Sequence, residues 1–183
     1  MLHPREWKHI EYIIYQGNIS SMDQHIMHYY TDGSKIDKGT GAAFVTNRNN
    51  TELINTKRFY SDSQCSVYHA ELFALAKATE DAIKHKRTKI ALCTDSLSSI
   101  LSIINYKSFH PLATEIRNNI VNMKNQGAQV NIFWVKGHTG VLGNELADRE
   151  AKEAAATNTE YFHYNKVTKA QLAINTVSLM KRK

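Results

Sequence analysis

The sequence is poor in the features that would assign it to several large classes of protein. Cysteine occurs twice in 183 residues, at Cys65 and Cys93. Two cysteines cannot build a disulfide scaffold, and these two lack metal-ligand spacing. Both read as buried thiols in a reducing compartment. No run approaches the roughly 20 apolar residues that a membrane helix needs, so no membrane partner is expected. The first residues, "MLHPREWKHIEYIIYQ", lack the basic-then-apolar order of a signal peptide, because Glu6 and Glu11 interrupt it. These absences lead us to expect an intracellular protein, nuclear or cytoplasmic and not secreted. Internal repeats and low-complexity segments are also missing. Acidic residues are in deficit, with 17 Asp and Glu against 23 Lys and Arg, for a net charge of +6. Much of that surplus falls in residues 157–183, where Lys166, Lys169, Lys181, Arg182 and Lys183 stand against Glu160. A basic balance suits a polyanionic partner without specifying one.

What the chain does contain is a change of period. "IMHYYTDGS" (26–34), "TGAAFVTN" (40–47) and "TELINTKRFY" (51–60) read as strands joined by short turns, which predicts an antiparallel meander. From Ser66 to about His85 the apolar positions Tyr68, Leu72, Leu75, Ala76 and Ile83 take helical spacing. "TKIALCT" (88–94) and "AQVNIFWV" (128–135) read as buried strands. Between them, Ser96 can cap a helix with the stripe Leu97, Ile100, Leu101 and Ile104. A second helix opens at Pro111, with Leu112, Ile116, Ile120 and Met123 inward, and Gly127 can stop it. A last helix begins near Gly143, with the packing seam Ala147, Ala151, Ala154 and Ala155. This order predicts an α/β domain: a five-stranded mixed sheet, first three strands antiparallel, with helices on both faces. Residues 1–25 show no clear period and form an N-terminal extension. Residues 26–156 form the domain, and residues 157–183 a basic tail. Within that tail, 157–165 read as a linker and 166–180 as a weakly amphipathic helix.

Chemistry concentrates in four acids. Asp32 and Asp95 lie at strand ends, where sites gather in open α/β sheets. Glu71 has Val67, Tyr68, Ala74 and Leu75 as its helical neighbours, so it sits in or beside an apolar surface. Asp148 stands one turn after Asn144, beside the alanine seam, and His138 is flanked by Gly137 and Gly140. Each has a simpler reading alone: a turn for Asp32, a helix cap for Asp95, an edge position for Glu71, a helix-dipole partner for Asp148, a polar loop residue for His138. Together, converging carboxylates repel one another, and hard divalent cations relieve that repulsion. Oxygen-only ligation favours Mg²⁺ or Mn²⁺ over Zn²⁺.

"YTDGS", "HAEL", "TDS" and "GHTGVLGNELAD", in this order over about residues 26–156, resemble the ribonuclease H type-1 family. The resemblance implies a ribonuclease H-like three-layer fold. It implies endonucleolytic hydrolysis of the RNA strand of an RNA–DNA hybrid, leaving 3′-hydroxyl and 5′-phosphate ends. Asp32, Glu71, Asp95 and Asp148 would bind two Mg²⁺ ions, with Mn²⁺ as substitute, and His138 would assist proton transfer or product release. Ser34, Asn144 and Glu145 would support the site, and Ser66 would contact the substrate. "CSVYHAELFAL", "TDSLSSI" and "WVKGHTGVLGNELAD" look most like the ribonuclease H domains of non-LTR retrotransposons, which implies a reverse-transcriptase domain as a partner. Two departures stand out. Val67 and Tyr68 occupy the region where many family members place Asn or Gln against the minor groove. Asn105–Pro111 is too short for the basic protrusion that some members carry. The competing expectations are a catalytically silent nucleic-acid-binding module derived from a retrotransposon domain, and a recombinase-type relative. Neither matches the four acids and the "GHTG…NELAD" arrangement together.

Overall fold

The computed structural model describes residues 10–14, 25–49, 51–157 and 160–162. Its core is a mixed sheet. Strand β1 is Tyr12–Ile14, β2 Met27–Ile36, β3 Gly39–Arg48, β4 Glu52–Ser61, β5 Lys89–Thr94, β6 Gln129–Trp134 and β7 Glu160–Tyr161. Helices α1 (Val67–Lys84), α2 (Leu97–Ile104), α3 (Pro111–Asn125) and α4 (Leu142–Ala156) pack on it. The strand order is β1-β6-β5-β2-β3-β4-β7. β2, β3 and β4 pair antiparallel, as the short links between them predict. β5 pairs in parallel with both β2 and β6, as helical crossovers require.

Alternation along the central strand builds two cores. Tyr29 and Tyr30 are both fully buried on β2, yet they face opposite sides. Tyr29 joins Phe44, Leu72, Leu75, Ile100, Ile116 and Ile120 beneath α1, α2 and α3. Tyr30 joins Val45, Ala91, Cys93, Phe133 and Ala147 beneath α4. Each fully buried Leu or Ile side chain contributes about 1.5–3 kcal/mol. The two cores hold the helices to the faces independently, and both cysteines lie buried as free thiols.

The structure departs from the sequence-based expectation at four places. Two short edge strands widen the predicted five strands to seven among the described residues. β1 pairs with β6 inside what the sequence reads as an extension, and β7 pairs with β4 inside what it reads as a linker. The cause at β7 is Phe162, which is buried and stacks on Phe73 with ring centroids 4.1 Å apart. The α2 stripe is also rotated from its predicted face. Ser99, Ile100 and Ile103 are buried while Leu97 and Leu101 are exposed. That helix is apolar on several faces, so periodicity alone could not choose one. Ser96 makes no side-chain cap bond; its hydroxyl pairs instead with those of Ser98 and Ser99. The expected helix at 166–180 lies outside the described residues. Among the described residues no helix is long and apolar enough to cross a membrane.

Candidate active site

Strand register delivers the first two carboxylates. β2 and β5 run in parallel, with Thr31 opposite Thr94 as their last pair. The next residue on each strand is Asp32 and Asp95. Neighbouring strands lie about 4.8 Å apart, so the two carboxylates emerge side by side at the same sheet edge.

Helix α1 delivers the third. It begins at a true cap, with Ser66 Oγ accepting from His69 N at 3.1 Å, and crosses β2 where the strand carries Gly33. A Cβ at Gly33 would lie 2.7 Å from the backbone N of Glu71. The missing side chain lets the helix approach closely enough for Glu71 to reach the strand ends. One oxygen from each of Asp32, Glu71 and Asp95 then lies within 4.8 Å of the other two. Helix α4 comes down on the opposite face by the same device. Gly41 on β3 has no side chain to meet the backbone of Ala151 and Ala155, so the predicted alanine seam packs against the strand.

Burial makes this cluster costly. Asp32 and Glu71 are each only 7% exposed. Desolvation first, and then the charge of Asp95, push the Asp32 carboxyl up to about 7, although the Gly33 N–H donates to its Oδ1 at 2.8 Å. Burial, and then the charges of Asp32 and Asp95, hold Glu71 well above the ordinary carboxylate range. Glu71 Oε2 is buried with no hydrogen-bond partner. A compact set of three oxygen donors, mutually destabilised and with one oxygen unmatched, fits a hard divalent cation.

The other sequence-predicted residues fall around this cluster in different ways. Asp148, on α4, is not one of the three converging groups, but its charge contributes to raising Asp32. Its Oδ2 is held at 2.7 Å by Lys152 Nζ. His138 is exposed on the β6–α4 turn, with a φ of 55°, a left-handed conformation uncommon for a residue with a side chain. The turn is fastened by Thr139 Oγ1 to Lys136 O at 2.7 Å and by Gly140 N to Glu145 Oε1 at 3.4 Å. Asn144 is buried and donates from Nδ2 to Asp95 Oδ2 at 3.2 Å. Ser34 is half-buried on β2, two residues past Asp32.

Three contributions escaped sequence reasoning. Trp134 Nε1 donates to the Asp95 carbonyl at 3.0 Å, tying the end of β6 to the β5 carboxylate. A Cβ at Gly137 would lie 2.7 Å from Asp95 Oδ2, so only glycine leaves that oxygen accessible. The Lys152 contact was legible in principle, since it stands four residues after Asp148 on one helix.

Comparison with known proteins agrees with this geometry. The sequence matches the RNase H family over residues 24–156. Human Ribonuclease H1 is 33% identical over 97 residues, covering 47% of this chain and 34% of that protein. This chain thus spans about a third of the length of that relative. The Pol polyprotein of caprine arthritis encephalitis virus is 24% identical over 125 residues, covering 68% of this chain and 10% of the polyprotein. Among solved structures, the protease–reverse transcriptase of prototype foamy virus superposes with a TM-score of 0.59 at 23% identity, over 80% of this chain and 23% of that one. RNase H1 from Halobacterium salinarum superposes with a TM-score of 0.55 at 20% identity, over 70% of this chain and 96% of that one. At these identities the structures speak for the fold, which is the α/β RNase H-like fold. With the family matched across the whole central domain and the three carboxylates converging inside it, the chain belongs to the RNase H family.

Proposed function

We propose that the chain is an endonuclease that hydrolyses the RNA strand of RNA–DNA hybrids, leaving 3′-hydroxyl and 5′-phosphate ends. The observation that carries this reading is the convergence of Asp32, Glu71 and Asp95 within 4.8 Å around a buried, unpartnered Glu71 oxygen. A binding module has no use for so costly an arrangement. Asp32, Glu71, Asp95 and Asp148 would hold two Mg²⁺ ions, with Mn²⁺ as substitute. Bound there, such ions supply Lewis-acid stabilisation of charge on the attacking and leaving oxygens of a phosphodiester.

The chain's own residues do the rest. The Gly33 N–H and Asn144 Nδ2 hold Asp32 and Asp95 by one oxygen each, which fixes the direction of the remaining lone pairs. Lys152 holds Asp148 at the edge of the site. His138 is exposed on a fastened turn, where it can exchange a proton with the departing strand and with solvent. On the substrate side, Ser34 and Ser66 would contact the strand whose sugar is to be read. Asn144 acts through Asp95. Val67 presents an exposed apolar edge at the start of α1 in place of an amide, while the Tyr68 hydroxyl is engaged with Ser102 Oγ at 2.6 Å.

The quoted motifs favour an origin in a non-LTR retrotransposon polyprotein, and the likeness to a viral Pol polyprotein supports a reverse-transcriptase domain as partner. In the division we favour, residues 1–25 extend the domain of 26–156, and the basic residues of 157–183 add phosphate contacts. The test is incubation of the purified chain with labelled RNA–DNA hybrid, double-stranded RNA and DNA duplex, with and without Mg²⁺. Mg²⁺-dependent cleavage confined to the hybrid is expected. Binding to hybrid without cleavage would favour the silent module.

A further inference from the structure

Asp148 stands apart from the three carboxylates that converge. One oxygen each from Asp32, Glu71 and Asp95 falls within 4.8 Å of the others, and Asp148 is not in that group. It is nonetheless close enough for its charge to act on Asp32. Its side chain is 21% exposed, so water solvates it only in part. A half-buried carboxylate beside other carboxylates needs a cation, and the chain supplies one. Lys152 Nζ lies 2.7 Å from Asp148 Oδ2. The two are four residues apart on α4, the spacing that lets side chains meet along one helix face.

An ion pair of this spacing on an exposed helix face contributes little and needs no function. Three features set this one apart. The ammonium responds to the site as well as to its helix neighbour: the hydrogen bond to Asp148 first, and then the charges of Asp148, Asp32 and Glu145, stabilise it. The other bases near this helix are directed elsewhere. Arg149 Nη2 lies 3.6 Å from Glu150 Oε1, and Arg58 joins Glu150 and Glu153. Among the described residues Lys152 is thus the base that serves Asp148. Finally, the two partners differ in freedom. Asp148 follows Ala147, which is fully buried, as is Ala151 one turn on, so its backbone is fixed against the sheet. The Lys152 side chain is 58% exposed and can leave for water without opening any packing.

We infer that Lys152 is a positioning residue: a resident cation that holds Asp148 in the metal-free chain and that a divalent ion must displace before it can use this carboxylate. The inference rests on the reading of Asp32, Glu71, Asp95 and Asp148 as the holders of two ions. It makes the two sides of the site unequal. An ion entering among Asp32, Glu71 and Asp95 meets carboxylates whose repulsion it relieves. An ion using Asp148 must first compete with an ammonium already in contact. The site therefore fills in order, the three-carboxylate side before the Asp148 side, and Lys152 sets the gap between the two affinities.

The experiment is calorimetric titration of the full chain with Mn²⁺ in the absence of nucleic acid, so that it reads ion binding and not cleavage. Lys152→Met should tighten the weaker class of Mn²⁺ binding about threefold, the factor that matches an ion pair of this exposure, and leave the stronger class as in the parent. Lys152→Arg, which keeps the cation, should retain the parental affinities. Asp148→Asn combined with Lys152→Met should abolish the gain, since the carboxylate that the ammonium releases is then missing. Equal weak-class affinity in the parent and Lys152→Met, a gain that survives Asp148→Asn, or a second class absent from both proteins would overturn the inference. Asp32→Asn separates this outcome from failure of the underlying reading. Loss of the stronger class in Asp32→Asn with no change in Lys152→Met sinks the role of Lys152 alone. Unchanged binding in Asp32→Asn sinks the carboxylate site itself and the inference with it.

Discussion

The molecule buries charge in two places and treats it in opposite ways. Arg117, on α3, is fully buried in the helical layer. Its Nη1 donates to the carbonyls of Ser102, Ile103 and Asn105, and its Nη2 to Ser108 O and Thr114 Oγ1. One guanidinium thus satisfies the frayed carbonyl end of α2 and the link to α3. At the sheet edge, Asp32 and Glu71 are almost as deeply buried, yet burial and neighbouring carboxylate charge raise both pKa values and one Glu71 oxygen is left unpartnered. The first charge is met by five hydrogen bonds to the chain itself and serves stability. The second is saturated only by something from outside and is kept at the expense of stability. That contrast separates a structural buried charge from a functional one without recourse to family resemblance.

The sharpest way to test the contrast is to exchange the consequences of mutation. Asp32→Asn or Asp95→Asn should reduce Mg²⁺-dependent hybrid cleavage to background while circular dichroism remains that of the parent. Cleavage near the parental rate by either variant would remove the proposed site. Arg117→Met should do the reverse. It strands several buried carbonyls, so a loss of about 3 kcal/mol or more is expected in denaturant unfolding, with specific activity retained at temperatures where the variant is folded.

His138→Ala should slow turnover by on the order of 10²-fold without altering metal affinity, since a proton-handling loop residue assists a site that the carboxylates create. Loss of metal binding in this variant, measured calorimetrically, would make His138 a ligand or a structural residue instead.

The smallest effect concerns pH. The folded-state pKa of Asp32 is raised, so the folded chain retains a proton that the unfolded chain has already released. Metal-free stability should therefore fall as pH rises from the ordinary carboxylate range through about 7. Asp32→Asn removes this penalty. It should raise the melting temperature of metal-free protein at pH 8 by several degrees and have little effect near pH 4. Saturating Mg²⁺ should reverse the ranking at pH 8. A parent and variant that melt alike across this range would show that the carboxylates are not the destabilised group described here.

Much of the domain could be read before folding because its signals are local. Strand alternation, helical spacing and turn residues mark β2 through β6 and α1, α3 and α4 in the right order, since each depends on neighbours a few residues away. The four acids and His138 stood out for the same reason, as polar groups at strand ends, helix starts or a glycine-flanked turn. Ser66 shows the limit: a hydroxyl before a helix reads equally as substrate contact or cap, and only the bond to His69 N reveals the cap.

The sequence by itself determined which segments are strands and helices and which residue types could carry the chemistry, because period and propensity act along the chain. The tertiary structure alone decided what meets what. Parallel register set Asp32 beside Asp95, and the bare Cα of Gly33 let Glu71 join them. Packing turned Leu97 and Leu101 outward, drew Phe162 into the core and gave Arg117 its five bonds. Each of these depends on contacts between residues far apart in sequence, and no local pattern fixes how close two such residues will come.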